Sequence, residues 1–463
     1  MASSRRVALG VPGLDRLIGV VEPPYTLLVA GHPGAGKTTL ATAICYANVV
    51  EGRRCLYLTF YEDRGKYFRF MKRLGFDLES AESRGLFRFV RLPQTLDVEA
   101  VVGEVNRVLA EGFDVVVVDS ITALLEPVAG SAERRAWLIN YFYQLPTAIN
   151  GLLILVAELP YGEERLGLSS VEFVADAVVL LKHRIEDGFL TRVIEVRKAR
   201  GAPIHVAETY FTIAERVGIV VFTPPVLAEI PQEGEEIDLV CSSLKEVVEH
   251  YHRGFAINVF YPPEPGTGLE ALVGALALAL KNGMRLLVVS YTHPITVLRA
   301  VIKDRLARYG ISGEKVDRAL DRYAVITALN PFAHSVTQLT ARELTIIEQV
   351  KPDLVVFYGV HLPRVIAPTH LHFKELFNEL MYLKFRGITV VRVGVCFDKT
   401  ECDREISLSD VTYRFERSLG GRGEGVEAYV YRRFGTFARL SGNVVGECEK
   451  EWAKTIEELL SGS

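Results

Sequence analysis

The feature that most constrains the fold is a series of short, mostly apolar runs, each bounded by glycine, proline or charged residues. A run of four to six apolar residues without regular polar alternation is typical of a strand buried on both faces. Such runs recur along both halves of the chain: Tyr25–Ala30, Cys55–Phe60, Asp114–Val118, Leu152–Ala157, Ala177–Leu181, Ala256–Phe260, Arg285–Tyr291, Asp353–Phe357 and Gly387–Cys396.

Longer mixed segments of helical length separate these runs, which predicts βαβ crossovers and a mostly parallel sheet in each half. The pattern is interrupted between Phe222 and Glu236, a stretch rich in proline and glutamate that is typical of a linker. We therefore predict an α/β protein with a first domain at residues 1–223, a linker at 224–236 and a second domain at 237–463.

The two halves are similar in register. When Gly36 is set against Gly268, the segment PGAG falls on PGTG. With a shift of one residue, EGRRCLYLTFYED falls on KNGMRLLVVSYTHP, and FDVVVVDS falls later on PDLVVFYG. Three blocks in the same order indicate an internal duplication.

The composition limits the possible classes of protein. Of the 463 residues, 49% are hydrophobic and 24% charged, which excludes a disordered or collagen-like chain. The net charge of −4 argues against non-specific nucleic-acid binding, which needs a basic face. The longest apolar stretch, Leu269–Leu280, is too short to span a membrane, and the amino terminus has no secretory pattern. Only 5 glutamines and 9 asparagines are present, a depletion seen in thermophilic proteins.

The six cysteines form no CxxC pair, and Cys45, Cys55 and Cys396 lie inside apolar runs. We expect reduced, buried thiols and hence a cytoplasmic protein. The ten histidines form no HxxxH pair, so we expect no structural metal site.

The strongest motif is GHPGAGKT, which fits GxxxxGK[ST], follows a strand-like run and opens a helix-like one. Glycines at these positions let backbone N–H groups approach phosphate oxygens, and the lysine adds a charge. A threonine hydroxyl at the end of the motif is a ligand for Mg²⁺. The predicted nucleotide-binding residues are Gly31, His32, Pro33, Gly34, Ala35, Gly36, Lys37, Thr38 and Thr39.

Carboxylates follow two of the predicted strands. Asp119 ends a run of four valines, the position of a magnesium ligand beside a phosphate loop; the alternative is an aspartate that caps the next turn. Thr38 and Asp119 are therefore the predicted metal ligands. Glu62 and Asp63 follow Cys55–Phe60, and either carboxylate could orient an attacking water. We favour Glu62 as the base, since Asp63 is suited to cap a helix.

In this order the motifs resemble those of the KaiC-like ATPases, a branch of the RecA/RadA group of P-loop proteins. The resemblance covers residues 8–223. It begins at Gly10–Gly19 (GVPGLDRLIG), similar to the GIPGLDELLGG opening of the family, and closes with EVRKARG, the residues from Glu195 to Gly201. Between these lie GHPGAGKTT, CLYLTFYED, VVVVDS and VEFVADAVVLLK. The resemblance implies two tandem RecA-like P-loop domains, each with a mostly parallel central sheet flanked by helices.

The resemblance also implies ATP and Mg²⁺ as cofactors and ATP hydrolysis as the activity. A glutamate after the second strand activates water in this family, often as one of two adjacent glutamates; here Tyr61 precedes Glu62. A K-x-R pair before a glycine acts in trans on the γ-phosphate of the neighbouring subunit, and Lys198 and Arg200 match it. Catalysis would then need a homo-oligomer, commonly a ring of six. Without the resemblance, this pair would be interpreted as a solvated strand end.

Two further segments have candidate roles. Glu158 ends a predicted strand and is either a sensor of the nucleotide or a loop-capping residue. The segment from Tyr161 to Ser170 lies where recombinase relatives bind single-stranded DNA, but it carries two acidic residues and one arginine. A DNA-binding loop is not favoured there.

The second half keeps the apolar runs and loses the phosphate chemistry. Leu269 and Glu270 stand at the lysine and hydroxyl positions of the motif, where a carboxylate repels phosphate. Tyr358 replaces the strand-end aspartate and His293 the glutamate, and the segment from Arg432 to Gly435 has no clear second charge. We predict a structural or regulatory domain that binds no Mg·ATP.

Three functions remain open at this point. The first is an oligomeric ATPase with catalysis between subunits. The second is an ATP-bound signalling or assembly switch with negligible turnover. The third is a RadA-like recombination protein, which the acidic balance disfavours. The sequence does not identify the protein partner.

Overall fold

The chain divides into two units, Met1–Thr223 and Pro224–Ser463, which are described separately. The computed structural model describes residues 7–93, 97–160, 163, 169–186, 189–231, 234–248, 250–263, 268–417, 426–433, 435, 437–440 and 443–461. The structural statements below refer to these residues.

The first unit is built on one sheet with helices on both faces. Its strands are β1 Tyr25–Gly31, β2 Cys55–Thr59, β3 Phe87–Arg91, β4 Val115–Asp119, β5 Leu152–Glu158, β6 Ala177–Glu186, β7 Phe189–Ala199, β8 Glu208–Ala214 and β9 Gly218–Phe222. Its helices are α1 Pro12–Ile18, α2 Lys37–Val50, α3 Arg64–Arg73, α4 Leu78–Ser83, α5 Val98–Leu109, α6 Ile121–Leu125, α7 Ala132–Ile149 and α8 Ser169–Val174.

The strand order in this sheet is β3-β2-β4-β5-β1-β6-β7-β8-β9. The strands from β3 to β6 pair in parallel, and β7, β8 and β9 extend the sheet with antiparallel pairing. Strand β1 lies at the centre and is buried along its whole length. Its side chains alternate between the two faces, so that Leu27 packs with α1 and α2 while Leu28 packs with α5 and α7.

The second unit repeats this architecture. Its strands are β10 Ala256–Tyr261, β11 Leu286–Ser290, β12 Ala324–Ala328, β13 Leu354–Tyr358, β14 Thr389–Val395, β15 Val411–Arg417, β16 Val426–Arg432 and β17 Phe437–Leu440. Its helices are α9 Ser242–Lys245, α10 Glu270–Lys281, α11 Ile295–Ala307, α12 Gly313–Tyr323, α13 Val336–Val350, α14 Thr369–Phe385, α15 Lys399–Ile406 and α16 Val444–Ser461, with short 3₁₀ turns at Leu227–Glu229, Pro331–Ala333 and Pro363–Val365.

The strand order of the second sheet is β12-β11-β13-β14-β10-β15-β16-β17, which matches the first sheet strand for strand up to β8. The prediction of two α/β units with mostly parallel sheets is therefore confirmed, and the shared order is what a duplication produces. Each predicted run overlaps a strand; for example, Arg285–Tyr291 contains β11.

The sequence analysis missed the edge strand β3 and the antiparallel extensions. Strand β3 alternates buried and exposed positions, because it lies at the edge of the sheet. Its sequence, FRFVR, carries two arginines among three apolar residues and therefore lacks the unbroken apolar run that marked the central strands. The antiparallel strands β7 and β8 likewise carry charged residues between their apolar ones.

The expectation for the cysteines was wrong for four of the six. Cys45 and Cys55 are free and buried, as expected. Cys241 is bonded to Cys448, and Cys396 to Cys402. The first pair is separated by 207 residues, so the spacing of cysteines along the chain carried no signal of it. In the described part of the chain, no helix has the length and apolar character needed to cross a membrane.

Candidate functional site

The phosphate-loop motif connects the central strand β1 to the helix α2. Gly31 ends β1, and Lys37 is the first residue of α2. Gly36 has a φ of 103°, and a Cβ there would lie 2.7 Å from Ile213 Cδ1 of β8, so only glycine fits this turn. Gly34 also has a positive φ, of 75°, and a Cβ there would meet no atom within 4 Å. The loop backbone is thus packed against β8 at Gly36, whereas the space around Gly34 is free of protein atoms.

Lys37 is buried and held within the loop. Its ammonium donates a hydrogen bond to the carbonyl oxygen of His32, 3.0 Å away. Burial lowers the pKa of Lys37, and the negative charges of Glu158 and Asp119 partly oppose this shift. A desolvated ammonium at the first turn of a helix is a strong site for a phosphate oxygen.

Asp119 meets Thr38 at the carboxyl end of the sheet. The Thr38 hydroxyl donates to Asp119 Oδ2 at 2.7 Å, although the two residues are 81 positions apart. Asp119 is 7% exposed, and burial raises its pKa; its hydrogen bonds with Thr38 and Tyr57 and the charge of Lys37 oppose the shift. The two predicted metal ligands are therefore adjacent in the structure.

Tyr57 is a member of this site that the sequence analysis missed. Its side chain is completely buried on β2, and its hydroxyl donates to Asp119 Oδ2 at 2.8 Å. The available signal was a tyrosine in an otherwise apolar run, because a buried phenol needs a hydrogen-bond partner. The sequence did not say which partner, since Tyr57 and Asp119 lie on neighbouring strands.

The two carboxylates after β2 have different surroundings. Asp63 is the N-cap of α3 and accepts a hydrogen bond from the backbone N–H of Lys66 at 2.9 Å. Glu62 is half-buried, and its pKa is raised by burial and by the charge of Asp119, with Lys66 opposing. The structure thus leaves Glu62, rather than Asp63, facing the charges of the site.

Glu158 lies at the same edge, since it pairs in register with Gly31 at the start of the loop. Its backbone N–H donates to the Thr122 hydroxyl at 2.9 Å, and its charge acts on Lys37. The segment from Tyr161 to Ser170, for which a DNA-binding loop was not favoured, lies largely outside the described residues.

Lys198 is level with the middle of β1, and Arg200 with its amino-terminal end, away from the phosphate loop. Lys198 pairs with Val178, which pairs with Leu28 of β1. Arg200 follows the last pair of this ladder and is level with Thr26, five residues before Gly31 and hence about 16 Å along the strand. The structure therefore does not bring this pair to the phosphate loop of its own chain.

Both side chains are held in place by hydrogen bonds. The Lys198 ammonium donates to the carbonyl oxygens of Glu172 and Phe173, at 3.1 and 2.9 Å. The Arg200 guanidinium donates to Asp176 Oδ1 at 3.0 Å and to the Phe173 carbonyl at 3.2 Å. Burial and the charge of Arg200 lower the pKa of Lys198.

A second cation beside the phosphate loop was also missed. Arg192 of β7 pairs directly with His183 of β6, whose ring meets the His32 ring edge-on at 5.8 Å. Toward β8, the antiparallel register that pairs Val193 with Tyr210 places Arg192 opposite Phe211. The Phe211 ring packs near Gly36 of the loop. Burial lowers the pKa of Arg192, and its Nε atom makes no hydrogen bond with the described residues.

In the second unit, the tyrosines Tyr261 and Tyr358 lie where the first unit has the Thr38–Asp119 contact. Tyr358 pairs with Ser290 on the sheet as Asp119 pairs with Thr59. Its hydroxyl is hydrogen-bonded to that of Tyr261, and both rings are buried. The Tyr261 ring packs against the loop, because a Cβ at Gly268 would lie 2.4 Å from Tyr261 Cε1.

The described positions of the second loop differ from those of the first. Residues 264–267, which include Gly266, lie outside the described residues. Leu269 precedes α10, and the Glu270 carboxylate is paired with Arg305 at 3.0 Å. His293 follows β11 at the position of Glu62, and its ring Nδ1 is 2.7 Å from the Thr292 hydroxyl.

Arg200 has an equivalent cation in the second unit. The backbone N–H of Arg433 donates to the Asp410 carbonyl at 2.9 Å, as that of Arg200 donates to the Asp176 carbonyl. Arg433 thus occupies the place of Arg200, and Tyr431 that of Lys198. Phe434 lies outside the described residues.

Comparisons with known proteins agree with this geometry in the first unit. Residues 7–226 match the family model described as "ATPase: KaiC". The first unit is a KaiC-like, RecA-type P-loop ATPase domain. The resemblance stated from the motifs is confirmed over this range, and the match ends close to the boundary between the two units.

Three relatives show how far the similarity extends. The chain is 29% identical to circadian clock protein KaiC3 of Synechocystis sp. over 265 residues, 51% of each chain. It is 26% identical to circadian clock oscillator protein KaiC of Thermostichus vulcanus over 204 residues, 43% of this chain and 39% of that one. It is 26% identical to a UPF0273 protein of Pyrococcus horikoshii over 245 residues, 48% of this chain and 96% of that one. The chain thus spans about half or less of the two clock proteins.

Proposed function

We propose that this chain is a Mg²⁺-dependent ATPase whose active site is completed between subunits, with a second domain that is structural or regulatory. The observation that carries the proposal is the contact between Thr38 and Asp119 beside Lys37. It joins the phosphate-loop motif to the aspartate at the end of β4. The loop, the buried ammonium and the strand-end carboxylate are the parts that P-loop ATPases use.

The residues fit Mg·ATP. The open space around Gly34 leaves the loop accessible to phosphate oxygens, and Lys37 supplies positive charge. Asp119 is a buried carboxylate whose pKa is raised by desolvation, so a bound cation would stabilise its ionised form. Thr38 and Asp119 would hold Mg²⁺, which neutralises charge on the phosphates. Arg192 is positioned to add a further positive charge from the same subunit.

Glu62 is proposed as the residue that orients the attacking water. Burial and the nearby charge of Asp119 raise the pKa of Glu62, so that this pKa lies closer to neutral pH than that of an exposed glutamate. A base with a pKa closer to the working pH is a better proton acceptor in the transition state. Tyr61, the preceding residue, is 51% exposed.

Lys198 and Arg200 are proposed to act on the nucleotide of a neighbouring subunit. Along the sheet, Arg200 lies about 16 Å and Lys198 about 10 Å from the start of their own phosphate loop, while hydrogen bonds hold both at an edge where a second chain can approach. Arg200 would stabilise the charge that develops on the transferred phosphoryl group. The arrangement requires head-to-tail contacts, as in a ring, for which we propose six subunits, or in a filament.

The second domain is proposed to bind no nucleotide. A buried tyrosine, Tyr358, stands at the position of Asp119 and is hydrogen-bonded to Tyr261, and the Glu270 carboxylate at the position of Thr38 is paired with Arg305. In the full-length chain, equilibrium binding of ATP with Mg²⁺ should therefore saturate at one nucleotide per chain, and Lys37→Ala should abolish binding. Two nucleotides per chain would contradict the assignment of the second domain.

A mixing experiment tests catalysis between subunits. Lys37→Ala disables the loop and Arg200→Ala the trans cation, and each variant alone should lose turnover by about 10³-fold or more. If the variants mix at random in one oligomer, about a quarter of the interfaces combine an intact loop with an intact arginine, so about a quarter of the activity should return. Arg197→Ala is the matched control, because this neighbouring arginine pairs with Glu195.

The outcomes separate the proposals. Recovery on mixing supports catalysis in trans, and a failure of Arg200→Ala to reduce turnover would overturn it. A wild-type chain that binds ATP but has no turnover at any protein concentration would instead support a switch that only binds the nucleotide.

A further inference from the structure

The two disulfides of the second unit differ in their exposure to solvent. Cys241 and Cys448 are both buried, at 0% and 1% exposure, and join the start of α9 to α16. Cys396 and Cys402 are only six residues apart, and Cys396 is half-buried in the connection between β14 and α15. A thiol from solution can therefore approach the second pair without unfolding of the domain.

Of the two cysteines in this second pair, Cys396 is the more accessible to solvent. The four residues that follow it, Phe397–Thr400, are all exposed, and the Phe397 ring is 70% accessible. Cys402, in contrast, is completely buried within α15. An incoming thiolate would meet the sulfur of Cys396 first, because thiol–disulfide exchange requires access to the attacked sulfur.

The buried side of the pair lies next to a fixed positive charge. The Arg364 guanidinium donates to Cys402 Sγ at 3.8 Å. Arg364 is itself buried and is held by two hydrogen bonds to the Glu405 carboxylate, at 2.6 and 2.9 Å, and by one to the Val395 carbonyl, at 2.9 Å. A guanidinium fixed beside a sulfur stabilises the thiolate form of that sulfur.

We propose that Cys396 and Cys402 form a reversible dithiol–disulfide pair that responds to soluble thiols and disulfides, whereas Cys241–Cys448 is a permanent structural bond. In reduction, the thiolate of a dithiol reductant bonds to Cys396 Sγ, the Cys396–Cys402 bond breaks, and Cys402 leaves as a thiolate beside Arg364. The second thiol of the reductant then displaces Cys396 and leaves an oxidised reductant and two protein thiols. In the reverse direction, oxidised glutathione forms the bond and is released as two reduced glutathione molecules.

The asymmetry of the pair makes it suited to exchange. The attacking thiolate meets the accessible sulfur of Cys396. Cys402 leaves as a thiolate that Arg364 stabilises, and a stabilised leaving thiolate makes the exchange faster. Reduction would also remove the cross-link between Cys396 and α15 that constrains the exposed segment carrying Phe397. The proposal concerns the second unit alone and does not depend on the proposed ATPase activity.

Differential alkylation of the folded, full-length protein tests the proposal. The oxidised chain is treated with dithiothreitol under native conditions, quenched with N-ethylmaleimide at intervals and digested, and each cysteine peptide is quantified by mass spectrometry. We expect Cys396 and Cys402 to be reduced at least about tenfold faster than Cys241 and Cys448. Equal rates for the two pairs, or reduction of Cys396–Cys402 only in denaturant, would overturn the proposal.

Two single variants test which sulfur is attacked. In Cys402→Ser the remaining thiol is the half-buried Cys396, and in Cys396→Ser it is the buried Cys402. With oxidised glutathione, Cys396 should form a mixed disulfide about tenfold faster than Cys402. The opposite order would overturn the direction of the exchange. Circular dichroism of both variants establishes that they are folded, and the wild-type measurement stands if either is not.

Discussion

Replacing Tyr57 with phenylalanine removes one of the two hydroxyl donors that hold Asp119. The ring of Tyr57 is completely buried, so phenylalanine fills the same volume and leaves no cavity. The change deletes the 2.8 Å hydrogen bond to Asp119 Oδ2 and leaves the Thr38 hydroxyl as the donor at 2.7 Å. It also removes the contacts of the Tyr57 hydroxyl with Thr42 and Tyr67, which are uncharged between pH 4 and pH 8. The pH-dependent part of the cost therefore reports the hydrogen bond to Asp119.

The cost follows from the charge of the acceptor. A hydrogen bond to a charged group contributes about 1.5–3 kcal/mol, roughly twice the value for a neutral pair. Burial already raises the folded-state pKa of Asp119, and loss of a donor to its ionised form raises that pKa further. The stability associated with Asp119 is fully present below its unfolded-state pKa, about 4, and is lost as the pH rises through the folded-state value. The destabilisation by Tyr57→Phe should thus be small near pH 4 and reach its full size above the folded-state pKa.

Native-state hydrogen exchange read on peptides from β2 and β4 measures the opening free energy of the first unit alone. The matched control is Thr209→Val, which removes a buried hydroxyl that donates to the Phe222 carbonyl oxygen at 2.6 Å. Neither partner titrates, so the cost of this control should not change between pH 4 and pH 8. A Tyr57→Phe cost that is equally independent of pH would refute the role assigned to the Asp119 hydrogen bond.

Three further outcomes are expected. Asp63→Ala should cost about 1 kcal/mol of stability through loss of the α3 cap with turnover unchanged, whereas Glu62→Gln should lower turnover, both measured by thermal unfolding and steady-state ATP hydrolysis. In the second unit, the pKa of Glu379 is raised well above 4.5 by burial and by the charge of Glu343, so wild-type stability to urea should fall as the pH rises above 4.5, and Glu379→Gln should flatten that dependence. Cys448→Ser opens a bond between residues 207 apart and should cost about 5 kcal/mol in denaturant unfolding; a loss below about 1 kcal/mol would contradict the chain-entropy argument.

The central strands could be predicted because burial on both faces leaves an unbroken apolar run. Strand β4, with four consecutive valines before Asp119, is such a case. The edge strand β3 could not be predicted in this way, since one face and one edge are open and charged residues fill those positions. The same physical difference separates the parallel core of each sheet from its antiparallel extension.

The candidate site was predictable where its chemistry is local in sequence. Lys37 and Thr38 belong to one contiguous motif, and Asp119 is marked by its place at the end of a strand. Tyr57 and Arg192 were not predictable, because each reaches the site from a different strand and neither residue type has a motif. The disulfide of Cys241 and Cys448 escaped prediction for the same reason, as only the folded chain brings α9 and α16 together.

The replacement of Lys37 and Asp119 by Leu269 and Tyr358 in the second unit is understandable from the cost of burying the two charged groups. In the first unit, Lys37 and Asp119 are both buried, and desolvation shifts both pKa values away from the charged form. Such groups destabilise the fold unless a ligand of opposite charge is bound. In the second unit, Tyr261 and Tyr358 occupy the equivalent space and satisfy one another by a hydrogen bond. In a domain that binds no nucleotide, as we propose for the second unit, apolar and phenolic side chains at these positions remove the charged groups while the apolar strands preserve the sheet. The second unit should therefore retain its stability without nucleotide, whereas the first should gain stability when Mg·ATP is added.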